Sequence, residues 1–549
     1  MTIKAHDLVG LALARHGVDT GFFIMGGPMN GALSSCIAQG LRMIDVRHEQ
    51  AAAFMAQSYA RLRGRPGLCM AASGPGTINL TTGLANALVD CAPVVALGGS
   101  SPVSQAGLGA FQEIDQLAIM RPITKWAERV HDPRRIPEYI GLALRHAMAG
   151  RPGPVYLDLP GDVLHADVDE DAVRWPDTDL SGALTARPAA SPAALARLLE
   201  LLRGAERPLI LSGSGILWSG ASAGLQRFVE TAGIPFYTTP QGRGAVPDDH
   251  ALSFPRARST AFREADLVLI LGTRTNYVFG HARPPRFAKS ARFVRIDIEP
   301  AEIAGDGHLA LGIVADAGAV LAQLDESPSR DDLAHRYAGW RARLAALDEE
   351  KKAAAEAKLA TGQVPIHPLR LCREVRDILD RDAVLVVDGQ EILNYGRQSI
   401  PTFVPGHRLN SGPFGTMGVG LPFGVGAKAA LPDKQVVVLH GDGSFGLNAM
   451  ELDTAVRHGL PLLVVISLNG GWTADPDEVK PGRKLGYTRF DRMAEALGCH
   501  GEYVEQPEDI RPALERALRA VADGRVAVVN VVTDWRARAQ TAEFTAFTT

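Results

Sequence analysis

Short β-rich apolar runs, most of them closing on glycine, alternate along this chain with Ala/Leu/Arg segments whose apolar positions recur at helical spacing. That alternation is the pattern of parallel α/β units. The clearest predicted strands are 67–73, 93–98 and 154–160, then 208–212, 267–272 and 293–297, then 383–388, 435–440, 462–467 and 526–532. They fall into three groups, and the expected fold class is α/β with three doubly wound parallel-sheet domains.

Two breaks separate the groups. The acidic, proline-containing stretch from Asp167 to Pro192 has no periodicity and reads as a linker. A charged helix over 348–356 and the loop 361–368 make the second break. The domains are therefore placed at 1–166, 188–330 and 366–535, with a tail at 536–549. A hydrophobic content of 46% with 21% charged residues excludes disorder, collagen and disulfide scaffolds. The net charge of −4 gives no general attraction to nucleic acid or anionic membrane, so any polyanion must meet a local basic cluster. Five scattered cysteines (Cys36, Cys69, Cys91, Cys372, Cys499) fit a reducing compartment and no zinc site. No apolar run approaches the roughly 18 residues of a membrane span, and the N-terminus lacks a signal-peptide core. A cytoplasmic protein without nucleic-acid or membrane partners is expected.

The most informative stretch is His440-Gly-Asp-Gly-Ser-Phe-Gly446, followed 27 residues after Asp442 by Asn469-Gly-Gly-Trp472. One strand delivers Asp442 to a Gly-rich turn and the next delivers Asn469. Parallel strands put both turns on the edge of the sheet where ligands of open α/β sheets bind. A carboxylate, an amide oxygen and a backbone carbonyl beyond Asn469 make a hard oxygen set that suits Mg²⁺, which keeps other positions for diphosphate oxygens and water. Gly441-Asp-Gly443 alone also fits an ordinary strand-end turn. The whole pattern resembles the metal and diphosphate signature of thiamine-diphosphate enzymes. It implies Mg²⁺ on Asp442, Asn469 and Gly471, with further cofactor contacts from Gly443 and Ser444.

That resemblance demands a glutamate in a separate domain to meet the aminopyrimidine. Val46-Arg-His-Glu-Gln-Ala-Ala52, a strand end running into a helix over 51–61, offers Glu49. Its implied task is to bond the pyrimidine ring nitrogen and favour the imino tautomer, whose imine takes the thiazolium proton. In isolation Glu49 also fits a helix-start carboxylate facing the dipole. Ser411-Gly-Pro-Phe-Gly-Thr-Met-Gly-Val-Gly420 resembles the loop that bends the cofactor, with Met417 wedged between its rings and the Gly415 carbonyl on its amino group. Ala72-Ser-Gly-Pro-Gly-Thr-Ile-Asn79 resembles the pyrimidine-side loop, with Gly74 and Asn79 as contacts, or is a plain turn. The resemblance covers about residues 4–535 as pyrimidine, central and diphosphate domains. It implies a homodimer or homotetramer with active sites shared between subunits.

Several branches of this superfamily fit poorly. The adjacent histidines of simple 2-oxo-acid decarboxylases do not occur in the first domain. Acetolactate synthases follow the metal-binding Asn with Gln-Trp-Gln, where this chain has Trp472-Thr-Ala-Asp-Pro-Asp-Glu478, and their flavin pattern is replaced by Gly272-Thr-Arg-Thr-Asn276. Benzaldehyde lyase shares Pro122-Ile-Thr-Lys-Trp-Ala127, but its pocket histidine falls near Pro28. The central domain is similar to the CoA-using branch, the 2-hydroxyacyl-CoA lyases and oxalyl-CoA decarboxylases. The similarity runs through 242–250, 257–259, 273–276, 284–287 and 296–298. Phe111-Gln-Glu113 is compatible with an acetolactate synthase too and, within the CoA branch, looks more like the lyases than the oxalyl-CoA decarboxylases, with Gln112 polarising the thioester oxygen or the 2-hydroxyl, or serving as a structural hydrogen bond.

The implied activity is thiamine-diphosphate-dependent cleavage of a 2-hydroxyacyl-CoA thioester to formyl-CoA plus an aldehyde or ketone. Oxalyl-CoA decarboxylation, acetolactate-type or benzaldehyde-lyase-type carboligation, and a non-catalytic scaffold remain as alternatives. Glu478, on a short helix opening at Asp475-Pro476, is an acid/base candidate or a solvated helix start. Arg258, Arg274, Asp297 and Arg408 are candidates for the CoA or nucleotide side, and whether the central domain retains a nucleotide such as ADP stays open. In the tail, Arg536 and Arg538 suit phosphate. Phe544 and Phe547 suit a lid, against the alternative of a frayed terminus.

Overall fold

The computed structural model describes residues 1–176, 187–303, 308–327, 333–472 and 481–539. Its apolar runs form strands covered on both faces, so Val94–Ser100, Leu267–Leu271 and Val384–Asp388 are buried at every position. The first sheet runs Arg42–Asp45, Thr20–Ile24, Gly67–Ala71, Val94–Ser100, Val155–Pro160, Trp126–Arg129, all parallel. The central sheet runs Phe236–Thr238, Pro208–Ser212, Leu267–Leu271, Arg292–Asp297, Leu309–Val314. The third runs Arg408–Leu409, Val384–Asp388, Val436–Gly441, Leu463–Leu468, Ala527–Val532, His500–Val504. In the first and third sheets the chain's second strand lies outside its first and the third lies inside it. The two sheets share one topology, although no repeat is visible in sequence.

The stretch read as an aperiodic linker from Asp167 is ordered at its start. Asp167–Asp169 is a strand antiparallel to Thr2–Lys4, and Glu170–Ala172 is a short 3₁₀ turn. Three residues are too few for a period of two to show.

Helix Glu49–Arg63 begins two residues before the predicted helix and ends two after it. His48 Nδ1 caps it by accepting the Gln50 N–H, and Gly64 ends it with φ +65°. Positions 51–61 are all buried, because the helix is covered on one side by its own sheet and on the other by helix Gly420–Ala430 of the third domain. Phe54 meets Phe423 edge-on at 6.0 Å, and one apolar core holds residues of both domains. The close approach depends on Gly426, where a Cβ would lie 2.4 Å from the Met55 carbonyl oxygen. Gly426→Val is therefore expected to overpack this crossing by about 1–3 kcal/mol and to lower the melting temperature by several degrees. Gly339→Ala, whose added methyl meets nothing within 4 Å, should leave it unchanged.

Polar side chains join all three domains at one buried point. Arg61 Nη1 and Gln57 Nε2 donate to Asp90 Oδ2 at 3.0 and 2.9 Å, and Arg61 Nη2 donates to the Gln241 carbonyl at 3.0 Å. Gln241 Nε2 in turn donates to the Asn410 carbonyl at 3.3 Å. All five cysteines are buried and none forms a disulfide. No helix among the described residues is long and apolar enough to cross a membrane.

Candidate active site

An open parallel sheet leaves a crevice at its carboxyl edge where the strand order reverses. In the third sheet this point lies between Val384–Asp388 and Val436–Gly441. Gly389, at φ +122°, turns away there so closely that a Cβ would sit 3.1 Å from the Gly441 nitrogen. Asp442 opens helix Asp442–Leu447 at this edge and is 4% exposed. Its Oδ1 accepts the Gly443 N–H at 2.9 Å and its Oδ2 accepts the Gly470 N–H at 2.8 Å, so the two turns predicted to share an edge are bonded to each other. Burial pushes this carboxyl up to about 6, against the pull of the backbone donors. Asn469 Oδ1 accepts the Gly471 N–H at 3.2 Å. Ser444 Oγ donates to the Gly441 carbonyl at 3.0 Å. His440 behind it is wholly buried, which drops its imidazole to about 3 and leaves it neutral.

The Met417 loop is tied to the same helix, since Asn448 Nδ2 donates to the Gly418 carbonyl at 2.7 Å. Met417 is half-buried, and Gly415, at φ +73°, has open space where a Cβ would be. These features fit the implied groups. A buried carboxylate whose ionised form is costly gains from a cation, and its neighbours offer neutral oxygens. No three His, Cys, Asp or Glu cluster together among the described residues. A metal held here would take one carboxylate plus amide, carbonyl and phosphate oxygens, the pattern that suits Mg²⁺.

Glu49 is 8% exposed, and its Oε2 accepts Asn79 Nδ2 at 2.9 Å. Gly76 packs on the other oxygen, with a Cβ position 3.3 Å from Oε1. Gly74, at φ +56°, has its N–H held by Gln116 Oε1 at 3.0 Å, and a Cβ there would lie 2.6 Å from the Gln112 carbonyl oxygen. Gln112 is itself left-handed at φ +59°. Ser73 Oγ donates to its Oε1 at 2.6 Å. Gly74, Pro75, Ile78, Asn79 and Gln112 line an open cavity of about 350 Å³. The Glu113 carboxylate accepts the N–H groups of Gly107, Gly109 and Ala110, which hold it below the usual carboxylate range and pin the loop beside the cavity. Gln116 carried no sequence signal. It is 1% exposed, with Nε2 2.7 Å from the Gly99 carbonyl, the Tyr156 hydroxyl and Asp158 Oδ1.

The central sheet reverses between Pro208–Ser212 and Leu267–Leu271, and a cavity of about 410 Å³ lies at that point. Arg274 and Asp297 line it. Arg274 donates to the Val89 carbonyl, and burial pushes the Asp297 carboxyl up. Arg258 and Arg408, grouped with them from sequence, do not line it. Arg258 lies over the Phe262 ring at 5.0 Å, and Arg408, 2% exposed, reaches the Ile400 carbonyl at 3.4 Å. Burial lowers both guanidiniums, helped at Arg258 by the charges of Arg286, Arg243 and Arg397 and at Arg408 by those of Arg243 and Arg397. Arg243 pairs with Asp248 at 2.7 Å. Four arginines thus converge where the second and third domains meet, a grouping that strand-end spacing could not show.

Glu478 lies outside the described residues, as do 540–549 with Phe544 and Phe547. The two tail arginines engage their own neighbours. Arg536 stacks on Trp535 at 4.2 Å, and Arg538 donates to the Trp535 carbonyl and, at 3.1 Å, to that of Ala537. The Ala539 N–H bonds Glu391 Oε2 at 2.8 Å, which places the root of the tail on the helix that starts beside Gly389. Tyr487, also unanticipated, packs on Gly470, and burial with the charges of Asp442 and Asp534 raises its phenol.

Three family models match the chain in order. They are the thiamine pyrophosphate enzyme N-terminal TPP binding domain over residues 3–119, its central domain over 195–324, and its C-terminal TPP binding domain over 394–531. Among curated proteins the chain is 36% identical to the acetolactate synthase large subunit of Mycobacterium tuberculosis, covering 97% of this chain and 96% of that one. It is 35% identical to the 2-hydroxyacyl-CoA lyase of Oryza sativa subsp. japonica, with the same coverage. It is 32% identical to the oxalyl-CoA decarboxylase of Escherichia coli, over 97% and 95%.

Proposed function

The chain belongs to the thiamine pyrophosphate enzyme family, and from that premise we propose that it is a carbon–carbon lyase cleaving 2-hydroxyacyl-CoA to formyl-CoA and an aldehyde or ketone. Thiamine diphosphate, when bound, supplies the carbanion that attacks a carbonyl and the sink for the electron pair of the breaking bond. The chain's own residues bind, orient and handle protons. Asp442, Asn469 and the Gly471 carbonyl hold Mg²⁺ and through it the diphosphate, beside Gly443 and Ser444. Glu49 holds a proton at the pyrimidine ring nitrogen, while Gly74, Asn79, Gly415 and Met417 shape the cofactor's bed.

The observation that carries the substrate class is the Gln112 head group at the cavity beside Glu49. With Oε1 engaged by Ser73, Nε2 is the donor left for a thioester carbonyl or a 2-hydroxyl. The convergence of Arg243, Arg258, Arg397 and Arg408 supports an anionic carrier such as CoA. The cavity with Asp297 and Arg274 lies at the central switch point, the position where open α/β sheets bind ligands. Exposed apolar residues flank both halves of the site, Phe111 and Ile114 beside the Glu49 cavity and Phe414, Leu447 and Met450 beside the Asp442 turn. They support a second copy of the chain as the occupant of these faces, in a dimer or tetramer.

The test is an assay of the enzyme loaded with thiamine diphosphate and Mg²⁺ against a panel of 2-hydroxyacyl-CoA thioesters, oxalyl-CoA and pyruvate. Formyl-CoA plus a carbonyl product from the thioesters is expected, with kcat/KM at least about 100-fold above that for oxalyl-CoA. Acetolactate formed from pyruvate would overturn the lyase reading. Carboligation of that kind is the second reading, favoured by the 36% identity to an acetolactate synthase subunit.

A further inference from the structure

Helix Glu451–Arg457 of the third domain lies across the loop that presents Glu49. The Glu451 carboxylate, 1% exposed, accepts the backbone N–H groups of Arg47 at 3.1 Å and His48 at 3.2 Å, and the Thr454 hydroxyl at 2.6 Å. The rest of the helix repeats the grip. Asp453 pairs with Arg47 at 3.5 Å, and Arg457 and His458 both hold Asp45, His458 at 2.7 Å. The loop N–H groups fall between a strand end and a helix start, where neither element supplies an acceptor. Their acceptor comes from another domain, 404 residues along the chain.

We infer that Glu451 is a positioning residue for the cofactor-activating carboxylate. By fixing the peptide units of Arg47 and His48 it sets where helix Glu49–Arg63 begins, and therefore where Glu49 stands. The same His48 carries the cap of that helix through its Nδ1, so the unit that Glu451 holds also orients the first turn. The arrangement is not a surface ion pair. Glu451 is buried with neutral hydrogen-bond donors, and burial pushes its carboxyl up to about 7 against their pull and that of the Arg457 charge. A shift of the loop would move Glu49 relative to whatever the neighbouring cavity holds, and proton transfer tolerates little misplacement.

This inference rests on the reading of Glu49 given above, and the test separates the two. The variants are Glu451→Gln, Thr454→Val, Glu49→Gln and the Glu451→Gln/Glu49→Gln pair. In the cofactor-free protein, Glu451→Gln should speed amide hydrogen exchange at Arg47 and His48 by about tenfold. In the enzyme loaded with thiamine diphosphate and Mg²⁺, it should slow exchange of the cofactor C2 proton by about tenfold, with cofactor affinity within about twofold of wild type. Added to Glu49→Gln it should slow exchange no further, because it acts only through Glu49. Thr454→Val keeps the carboxylate and gives a smaller slowing of about threefold, which reads the same contact should Glu451→Gln fold poorly. Wild-type exchange in both Glu451→Gln and Thr454→Val overturns the inference, and so does an equal slowing on top of Glu49→Gln. A wild-type rate in Glu49→Gln itself overturns the Glu49 reading instead.

Discussion

Asp442→Ala is expected to weaken metal-dependent binding of thiamine diphosphate by at least about 100-fold. The carboxylate is the one charged oxygen ligand of the proposed set, and it also bonds the Gly470 N–H that ties the Asn469 turn to the Gly443 turn. Alanine removes both functions. The fold should persist, because a buried carboxyl pushed up to about 6 contributes little as an ion, and each of the two freed N–H groups, of Gly443 and Gly470, costs about 1–3 kcal/mol. Asp442→Asn separates the two roles, since an amide oxygen can still accept from Gly470 but brings no charge to Mg²⁺. It should bind cofactor nearly as poorly as alanine while melting closer to wild type than alanine does, because its NH₂ leaves only the Gly443 N–H without an acceptor. Calorimetric titration with thiamine diphosphate and Mg²⁺ measures this, and ordinary affinity in either variant would remove Asp442 from the metal site.

Glu49→Gln is expected to bind the cofactor within a few-fold of wild type and to exchange its C2 proton about 10²–10⁴ times more slowly. The amide matches the carboxyl in size and can still accept from Asn79 Nδ2, so the local packing against Gly76 survives. It cannot share a proton with the pyrimidine nitrogen. Quenched-flow deuterium exchange read by NMR gives the rate directly. A wild-type rate would exclude Glu49 from activation whatever the overall turnover of the variant.

The fold class was legible because doubly covered parallel strands are apolar at every position, and the runs closing on Gly98, Gly272 and Gly441 announce themselves. Edge strands were not. Arg42–Asp45, Trp126–Arg129 and His500–Val504 are half-exposed with mixed polarity, so they resemble loops in sequence. The Asp442 and Asn469 turns could be placed on one edge because adjacent parallel strands deliver them, and the Gly470–Asp442 bond joins them there. Gln116, Tyr487 and Glu451 were invisible for the opposite reason. Each matters through partners that only tertiary packing supplies, such as the Glu451 contacts to Arg47 and His48. That Arg258 and Arg408 lie at the domain joint, apart from the cavity of Arg274 and Asp297, was invisible likewise, since order along the chain does not report which side of a joint an arginine faces.

The buried junction of Arg61, Asp90, Gln241 and Asn410 bears on how members of such a family can be recombined. A central domain transplanted from a relative inherits the job of Gln241, whose carbonyl receives Arg61 from one side while its amide reaches Asn410 on the other. Every residue brings a backbone carbonyl, so what the donor must supply is a loop that carries the carbonyl of position 241 to Arg61. A loop that misses it leaves one arm of an enclosed guanidinium without an acceptor, at a cost of about 1–3 kcal/mol, a sizeable share of the margin by which most proteins stay folded. Chimeras cut at the visible domain joints will therefore inherit a hidden compatibility rule. The side chains at 61 and 90 and the backbone path through 241 and 410 travel together, and shuffling that ignores them selects for folding before it can select for chemistry.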